Sequence, residues 1–478
     1  MAKFKNKEQI INLTIAVLAT SAILISYWFC QSVLKLSSSQ TLIILVIEYF
    51  ILMLGLLFAQ KPSLGVLVLI AVLPFERLPS LEIAGYTVKI NQLIIAATGL
   101  AYLIFIIRNK SFKLRAPEIF WWLMLFLVSL MVSAVGAENL TRTALVFGFT
   151  LLAISGYFLI VQLIDNIKKL KLALNIIFGV IVVISLFGLY QYLGDKYGLS
   201  TSWTGLRLEY THLVLSFPRI QATFIEPLFF ANYLIFSLSI TAVLFVSDQI
   251  KMKWYFLAIF FVILLTDFLL TSSRGAAIGL AASFLLILIF KLKSFWSIKK
   301  LIFIISVFAI TSGSVLILLG PAAKQFFVHS QAPIKSTNEP SSQERLSNYQ
   351  LARKAFLEHP IIGLGLGNFG TYYNQQTKTT APTWRIVNNQ YLEILAETGT
   401  IGFLAFAGLL VVIFIKSFQA YFISKDKWLK AVILGAICGF MGILVQFNFF
   451  STLYIIYIWA FLGFLVAAQK IANLQKSS

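Results

Sequence analysis

One stretch of the sequence differs from everything around it: residues 345–402, which begin RLSNYQLARKAFLEHPIIGLGLGNFG (345–370) and end NNQYLEILAETGTIG (388–402). The stretch combines charged and amide side chains, turn glycines and apolar residues at helical spacing. A polar lead-in, residues 321–344, precedes it, and long apolar blocks lie on both sides. Apolar blocks of this length predict membrane spans. We therefore predict that the stretch is a large polar loop held in place by the spans.

The composition indicates a membrane protein. Of the 478 residues, 59% are hydrophobic and only 12% are charged, whereas soluble domains carry about 25% charged residues. The net charge is +20, but the basic residues form short clusters between apolar runs, which indicates topology-determining loops rather than a nucleic-acid-binding face. The two cysteines, Cys30 and Cys438, lie far apart in or beside apolar segments, which argues against a disulfide framework or a zinc site.

The apolar runs predict an all-α, polytopic membrane protein. A spanning helix needs about 20 apolar residues, and we count about 14 such runs. The third run is short and ends at Pro74-Phe75-Glu76, so we predict that it is tilted or partly re-entrant. The basic N-terminus resembles the start of a signal peptide but lacks a small-residue cleavage site, which predicts an uncleaved first helix. The predicted spans are 10–30, 41–59, 63–76, 90–107, 118–136, 143–163, 172–193, 227–246, 254–271, 275–291, 301–320, 400–419, 429–448 and 452–469.

The basic residues predict the orientation of these spans. The even-numbered connections carry lysine and arginine clusters such as 108–115, 168–171 and 425–430, whereas the short odd-numbered ones carry few. Because positive residues collect in cytoplasmic loops, both termini are predicted to be cytoplasmic. Three segments then lie outside: 194–226, 272–275 and 321–398. The predicted division is 1–193 (N-terminal spans), 194–320 (spans with an outer loop and an arginine-tipped hairpin), 321–398 (a large extracytoplasmic helical loop) and 399–478 (C-terminal spans).

The first half of the large loop reads as a helix followed by a turn. Apolar residues recur at helical spacing between Arg345 and His359, and Pro360 ends the pattern. The glycines of residues 363–370 match the spacing of a dinucleotide-binding fingerprint. No strand precedes them and no βαβ unit surrounds them, so we interpret them as a turn that redirects the chain. Residues 331–343 are rich in serine and proline, which predicts flexibility.

The second half of the loop, residues 388–399, also reads as a helix. Asn389, Glu393 and Glu397 are spaced four apart and share one face, and Gly399 marks the end of the pattern. Two interpretations stay open at this point. The face is either solvated on an interfacial helix, or it is turned toward a substrate at the membrane surface.

Two further segments carry polar groups where apolar ones are expected. Arg219, Gln221 and Glu226 lie near the mouth of a predicted span, and polar groups at such positions mark a pathway or a partner. Arg274 lies at the outer tip of a predicted two-helix hairpin. Arginine holds phosphate through two parallel hydrogen bonds and keeps its charge when partly dehydrated. If the fold brings Arg219, Arg274 and Arg345 together, they form a cage for a phosphate or pyrophosphate.

Together these segments resemble the O-antigen ligase/polymerase superfamily, whose members transfer glycans from undecaprenyl pyrophosphate on the outer face of the bacterial plasma membrane. The resemblance covers roughly residues 200–400. It rests on four segments in order: R-x-x-x-T-F-x-x-P-x-x-x-A-x-Y-L from Arg219, T-x-S-R-G ending at Gly275, P-x-x-G-x-G-x-x-x-F from Pro360, and N-x-Y-L-x-x-L-x-E-x-G ending at Gly399.

The resemblance implies a role for each matching position. Arg219 and Arg274 would bind the donor's pyrophosphate and stabilise it as it leaves, and Arg345 would order the loop or stabilise the same charge. The family's ligases have a histidine, thought to activate the acceptor hydroxyl, where this chain has Asn388. Asparagine cannot take up that proton. Either another residue is the base, or the acceptor is only oriented and the leaving pyrophosphate drives the reaction. Glu226 is our first candidate base, with Glu393 and Glu397 behind it. The further predicted substrate-binding residues are Gln221, Asn388, Asn389, Glu393 and Glu397.

The resemblance implies a glycosyltransferase that needs no cofactor and no metal, because the donor is already activated. Its predicted partners are an undecaprenyl-pyrophosphate-linked glycan, membrane lipid and a chain-length regulator, with no nucleic acid. Asn388 shifts the prediction from ligase to polymerase, an enzyme that joins repeat units into a surface polysaccharide. The alternatives are an O-antigen ligase that uses another acceptor, and a transporter or flippase of lipid-linked sugars. A transporter should carry midplane charges, whereas here Asp267 is the main one.

Overall fold

The computed structural model describes residues 21, 24–33, 35, 37–77, 80–83, 86–109, 114–250, 253–295, 297–331, 340–380, 384–451 and 453–477. Within these residues the chain is helical apart from one short hairpin and the connecting turns. This confirms the predicted all-α, multi-pass membrane class.

The helices of nine or more residues are labelled α1 to α16 in chain order. The first eight are α1 Ser38–Phe58, α2 Pro62–Val72, α3 Ile90–Asn109, α4 Pro117–Val132, α5 Leu140–Leu163, α6 Ile167–Lys196, α7 Pro227–Val246 and α8 Trp254–Leu270. The others are α9 Arg274–Phe295, α10 Ile298–Leu319, α11 Ala323–Gln331, α12 Pro340–Glu358, α13 Phe369–Thr377, α14 Gln390–Ile423, α15 Lys427–Gln446 and α16 Ile456–Ser477.

The predicted number of spans is corrected by the structure. Eleven helices of the described residues are long and apolar enough to cross a membrane, not 14. Two of the predicted spans form shorter apolar helices, because α2 has 11 residues and α8 has 17. The first predicted span, 10–30, lies mostly outside the described residues. The third predicted span is short because Pro74 and the neighbouring turn residues end α2 at Val72.

Local sequence signals set the ends of many helices. Proline occupies the first position of α2, α4 and α7, where its missing N–H costs no helical hydrogen bond. Polar side chains cap α5, α6 and α15 at Asn139, Asn166 and Asp426. The hairpin pairs β1 Ser80–Ile83 with β2 Tyr86–Lys89 in antiparallel register. It lies in the connection between α2 and α3, where the sequence predicted no regular element.

The core of the bundle is the close packing of α7, α9 and α15. Nearly every residue of α7 is buried. A Cβ added to Gly279 of α9 would lie 2.5 Å from the Gly442 carbonyl oxygen of α15, so the two helices approach backbone to backbone. Helices in lipid associate through such small-residue contacts and through interhelical hydrogen bonds. Asn232 of α7 supplies one of these bonds, from its Nδ2 to Gln446 Oε1 at 2.8 Å.

The bundle has two polar ends. We call the end that carries α12, α13 and the connections around residues 74–89, 197–226, 271–273 and 447–455 the large-loop end. Hydrogen bonds between these connections hold it together, for example from Arg77 N to the Thr223 carbonyl at 2.9 Å. The opposite end carries ion pairs of short connections, including Lys169 with Asp165 at 3.0 Å and Lys300 with Asp248 at 2.8 Å.

Replacing Gly279 with alanine should destabilise the bundle, because the new methyl group would overlap the Gly442 carbonyl oxygen. Overpacking of this kind costs roughly 1–3 kcal/mol. Thermal unfolding in detergent, followed by circular dichroism, measures the loss. Gly179→Ala in α6 is the matched control, since a Cβ there meets no atom within 4 Å. Equal melting temperatures for the two variants would contradict the proposed contact.

Candidate active site

Arg219 joins two connections at the large-loop end. Its Nε donates to the carbonyl of Thr271 at 3.1 Å and its Nη2 to the carbonyl of Ser272 at 3.5 Å. The guanidinium also lies 5.7 Å from the centre of the Tyr210 ring, within the range of a cation–π interaction. The segment 205–226 is thereby fastened to the turn between α8 and α9.

The other two predicted arginines lie close enough to act on Arg219. Burial lowers the pKa of the Arg219 guanidinium from its ordinary value, and the charges of Arg274 and Arg345 lower it further. Tyr210 and Glu226 act in the opposite direction. Guanidinium groups stay protonated in proteins, so this end of the bundle gathers several positive charges. The three arginines thus lie close enough for their charges to interact, and we call Arg219, Arg274 and Arg345 the arginine cluster.

Backbone contacts explain why α9 and α12 meet here. Gly275, next to Arg274, packs against the Phe449 side chain, and an added Cβ would lie 2.7 Å from Phe449 Cβ. One residue earlier, the carbonyl of Asn448 lies 3.0 Å from the Tyr349 hydroxyl. Tyr349 is one helical turn after Arg345 on α12. The turn at 447–449 therefore holds the N-terminus of α9 beside the polar face of α12.

Glu226 lies directly before α7, half-buried among opposite charges. Burial raises the pKa of the Glu226 carboxyl, whereas the charges of Arg207, Arg219 and Arg345 lower it. The sequence did not point to Arg207 or to Tyr210. Burial also raises the pKa of the Tyr210 phenol, and the charge of Glu226 adds to this effect. The predicted base is therefore surrounded by arginines from two segments of the chain.

Asn388 lies beside α12 in an unusual backbone conformation. Its φ of +62° falls in the left-handed region that asparagine tolerates better than most residues. Its carbonyl lies 3.1 Å from the Tyr349 hydroxyl. The neighbouring Asn389 caps α14, because its Oδ1 accepts from Tyr391 N at 3.1 Å and Leu392 N at 3.0 Å. A capping role for Asn389 was not among the sequence predictions.

The glycine turn, residues 360–369, wraps around a break in α14. Gly363 and Gly399 have φ values of +74° and +61°. A Cβ on Gly363 would lie 2.3 Å from the Glu397 carbonyl carbon, and a Cβ on Gly399 2.3 Å from the Ile361 carbonyl oxygen. Only glycine permits both this conformation and this approach. The predicted turn is confirmed, and Gly399 interrupts a helix that continues into the next span.

Glu397 binds the glycine turn directly. Its Oε2 accepts from Gly367 N at 2.8 Å and its Oε1 from Phe369 N at 3.1 Å. Glu393 accepts from Val387 N at 2.8 Å. The two residues are only 6% and 8% exposed, so the interpretation as a solvated face is wrong. The carboxylates accept hydrogen bonds from loop amides that would otherwise be buried without a partner. These hydrogen bonds are a sufficient reason for the burial of Glu393 and Glu397.

A small cavity adjoins this pair of carboxylates. Arg142, Arg385 and Tyr454 line it together with Glu393 and Glu397. Burial raises the pKa of the Tyr454 phenol to about 12, and the charges of Glu393 and Glu226 act in the same direction. The Tyr454 side chain therefore lines this cavity and is close enough to Glu226 for the charge of Glu226 to act on it. Arg142 lies at the start of α5 and Arg385 in the large loop, and both were missed because no motif surrounds them.

Gln221 is fully buried in the segment 205–226. Its Nε2 donates to the Gly205 carbonyl at 3.3 Å, and its Oε1 is buried without a hydrogen-bond partner in the described residues. The segment is fixed to the bundle at several other points, including Thr223 Oγ1 to the Pro74 carbonyl at 2.7 Å. The substrate-binding role of Gln221 stays a prediction.

The comparison with known protein families agrees with this architecture. Residues 259–407 match the family model described as O-antigen ligase. The match contains Arg274, the whole of α12 and the glycine turn, whereas Arg219 and Glu226 lie before it. The comparison with curated proteins gives no match.

These observations define the class of protein. It is a multi-pass membrane protein, and part of it is similar to a family of polysaccharide biosynthesis. More particularly, residues 259–407 of the chain form a domain of the O-antigen ligase family.

Proposed function

We propose that the protein is a polymerase that joins undecaprenyl-pyrophosphate-linked repeat units into a surface polysaccharide of the bacterial envelope. The observation that carries this proposal is the contact of the Arg219 guanidinium with the Thr271 and Ser272 carbonyls, just before Arg274 in the chain. The charges of Arg274 and Arg345 both act on Arg219. Positive charges at fixed positions stabilise the negative charge that develops on a leaving pyrophosphate. A glycan attached to pyrophosphate needs no further activation.

We propose that the large-loop end faces the extracytoplasmic side of the plasma membrane and that both termini are cytoplasmic. Lysines of the opposite end support this orientation, since Lys168, Lys169 and Lys171 lie at the start of α6 and Lys300 at the start of α10, beside short connections. Positive charges in short loops mark the cytoplasmic side. The basic residues of the long connections carry little weight in this argument, because long segments cross the membrane largely regardless of charge.

In the proposed reaction the arginine cluster binds the pyrophosphate of the donor. A hydroxyl group of a second lipid-linked repeat unit attacks the anomeric carbon, and the bond from this carbon to the pyrophosphate oxygen breaks. The arginines hold the charge of the leaving group without a bound metal ion. Asn388, Glu393 and Glu397 are proposed to line the path of the glycan, and a chain-length regulator is a proposed partner.

The family match supports a second candidate function, because its description is O-antigen ligase. The chemistry at the donor would be the same, and the acceptor would be a lipid or another molecule in place of a second repeat unit. Asn388 favours polymerisation over ligation, since the histidine of the resembling ligases is absent from this position.

Deleting the encoding gene should separate the two functions. A missing polymerase leaves single repeat units on their carrier or anchor, because no unit is joined to the next. A missing ligase leaves full-length chains on the lipid carrier. Gel analysis of the surface glycans and of the lipid-linked pool measures chain length in each fraction. Full-length chains stranded on the carrier would contradict the polymerase proposal and favour the ligase.

Arg274→Ala should abolish polymer formation while the protein still inserts into the membrane, because the leaving group loses one of its fixed positive charges. Loss of such a group costs on the order of 100-fold or more in rate. Polymer length on gels, with protein amount in membranes, measures both effects. Arg353→Ala is the matched control, since Arg353 is exposed on α12. Polymer of normal length in the Arg274→Ala variant would refute the proposal that the arginine cluster binds the pyrophosphate.

Glu226→Gln should slow turnover more than it weakens donor binding, because the amide keeps the shape of the side chain but cannot accept a proton. Elongation rates and donor affinity, measured on purified protein in liposomes, separate the two effects. Glu118→Gln serves as the control, since Glu118 pairs with Lys416 at the opposite end. An unchanged rate in the Glu226→Gln variant would remove Glu226 as the base.

A further inference from the structure

A histidine and a buried aspartate form a dyad at the large-loop end. Asp195 Oδ2 accepts a hydrogen bond from His212 N at 2.7 Å and lies 2.8 Å from His212 Nδ1. The Asp195 side chain is 4% exposed, whereas that of His212 is 37% exposed. One carboxylate oxygen thus fixes both the backbone and the Nδ1 side of the His212 ring, and the side chain as a whole stays partly exposed.

This geometry gives His212 a defined tautomer. A neutral imidazole has one N–H and one acceptor nitrogen, and the partner of one nitrogen determines the state of the other. Because Asp195 is an acceptor, Nδ1 carries the proton and Nε2 has the free lone pair. A carboxylate in this position also stabilises the imidazolium that forms when Nε2 takes up a proton, as in hydrolases with a histidine base.

The dyad belongs to the segment that carries Arg219. The backbone N–H of Arg219 donates to the carbonyl of Tyr210 at 2.8 Å, and His212 is two residues beyond Tyr210. Tyr210 itself contacts the Arg219 guanidinium. His212, Tyr210 and Arg219 are therefore parts of one compact loop, which the hydrogen bonds of Asp195 fasten to the end of α6.

Helices α6 and α8 place the dyad of His212 and Asp195 and the guanidinium of Arg219 at similar heights along the bundle axis. Gly188 of α6 lies against Asp267 of α8, with an added Cβ 3.5 Å from Asp267 Oδ2. Along the axis of α6, Asp195 is two turns beyond Gly188, a distance of about 10 Å. Along the axis of α8, Thr271 is one turn beyond Asp267, a distance of about 6 Å. Both helices run toward the large-loop end. The Thr271 carbonyl binds Arg219, so the guanidinium and the imidazole lie at neighbouring levels.

We propose that His212 Nε2 is the base that accepts the proton of the attacking hydroxyl group, with Asp195 as its positioning residue. This inference rests on the proposed glycan transfer. The acceptor oxygen forms the bond to the anomeric carbon, the bond from this carbon to the pyrophosphate oxygen breaks, and its electron pair stays on the pyrophosphate at the arginine cluster. The hydroxyl proton passes to Nε2 and later returns to water.

In this inference His212 takes the place of Glu226 as the acceptor of the proton, so the results expected for Glu226→Gln and for His212→Asn test the two candidates against each other. Burial raises the pKa of the Glu226 carboxyl, whereas the charges of Arg207, Arg219 and Arg345 favour its ionised form. His212 differs in its geometry, because Asp195 fixes the imidazole ring through Nδ1. His359, by comparison, lies exposed at the end of α12.

The test compares His212→Asn and His212→Ala in full-length protein reconstituted in liposomes with polyprenyl-pyrophosphate-linked repeat units. Asparagine keeps an N–H for Asp195 but cannot accept a proton. We expect kcat of His212→Asn to fall about 100-fold or more, with the donor KM near that of the wild type. Added imidazole should restore part of the rate of His212→Ala, and Asp195→Asn should lower kcat as well, because the tautomer is no longer fixed.

A purely structural role gives a different pattern. His212→Asn would then keep the wild-type kcat, and imidazole would not restore His212→Ala; either result overturns the proposal. His359→Asn is the matched control and should keep the wild-type rate. If the wild type elongates chains and His212→Asn does so equally fast, only this inference fails. If the wild type elongates nothing while all variants are folded, the proposed function fails and the inference with it.

Discussion

The binding of the Arg219 guanidinium to the carbonyls of Thr271 and Ser272 is the interaction on which the candidate site depends. The carbonyls at the end of α8 have no partners within the helix, and a buried guanidinium needs acceptors, so each group satisfies the other. The bond fixes the segment 205–226 against the start of α9. Arg274 is the first residue of α9, and two charges from distant parts of the sequence are therefore held together despite their repulsion. An anionic ligand would relieve that repulsion.

The large loop is held by a second constraint, the pairing of the glycine turn with the break in α14. Glu397 accepts from two amides of the turn, and Gly363 and Gly399 allow the two backbones to approach within contact distance. The polar half of α14 and the apolar half that follows are thereby set at an angle. This arrangement carries α12, with Arg345, over the end of the bundle. The stability of the loop and the position of a candidate ligand-binding arginine thus depend on the same few contacts.

The sequence predicted the elements of the site better than their functions. The helix from Arg345, the turn at the glycines and the arginine at the tip of a hairpin are all present, because periodicity, proline and glycine act locally. Asn389, Glu393 and Glu397 were predicted to share one face, but the sequence did not show that the carboxylates bind backbone amides. Glu393 binds Val387 N, and Glu397 binds Gly367 N and Phe369 N, which lie 30 and 28 residues away. The pair of Asp195 and His212 was missed because its two members lie 17 residues apart. Arg142 and Tyr210 were missed because no motif marks them.

The sequence by itself determined the membrane class, most of the spans and the polar island between them, because hydrophobicity and helix length are properties of continuous segments. It also determined the family resemblance, through four short segments in a fixed order. Only the tertiary structure decided that three arginines meet, that Glu226 lies among them and that Asp195 fixes His212. Each of these depends on which helices pack together, and that choice is made by close contacts such as Gly279 with Gly442, whose partners no local pattern specifies.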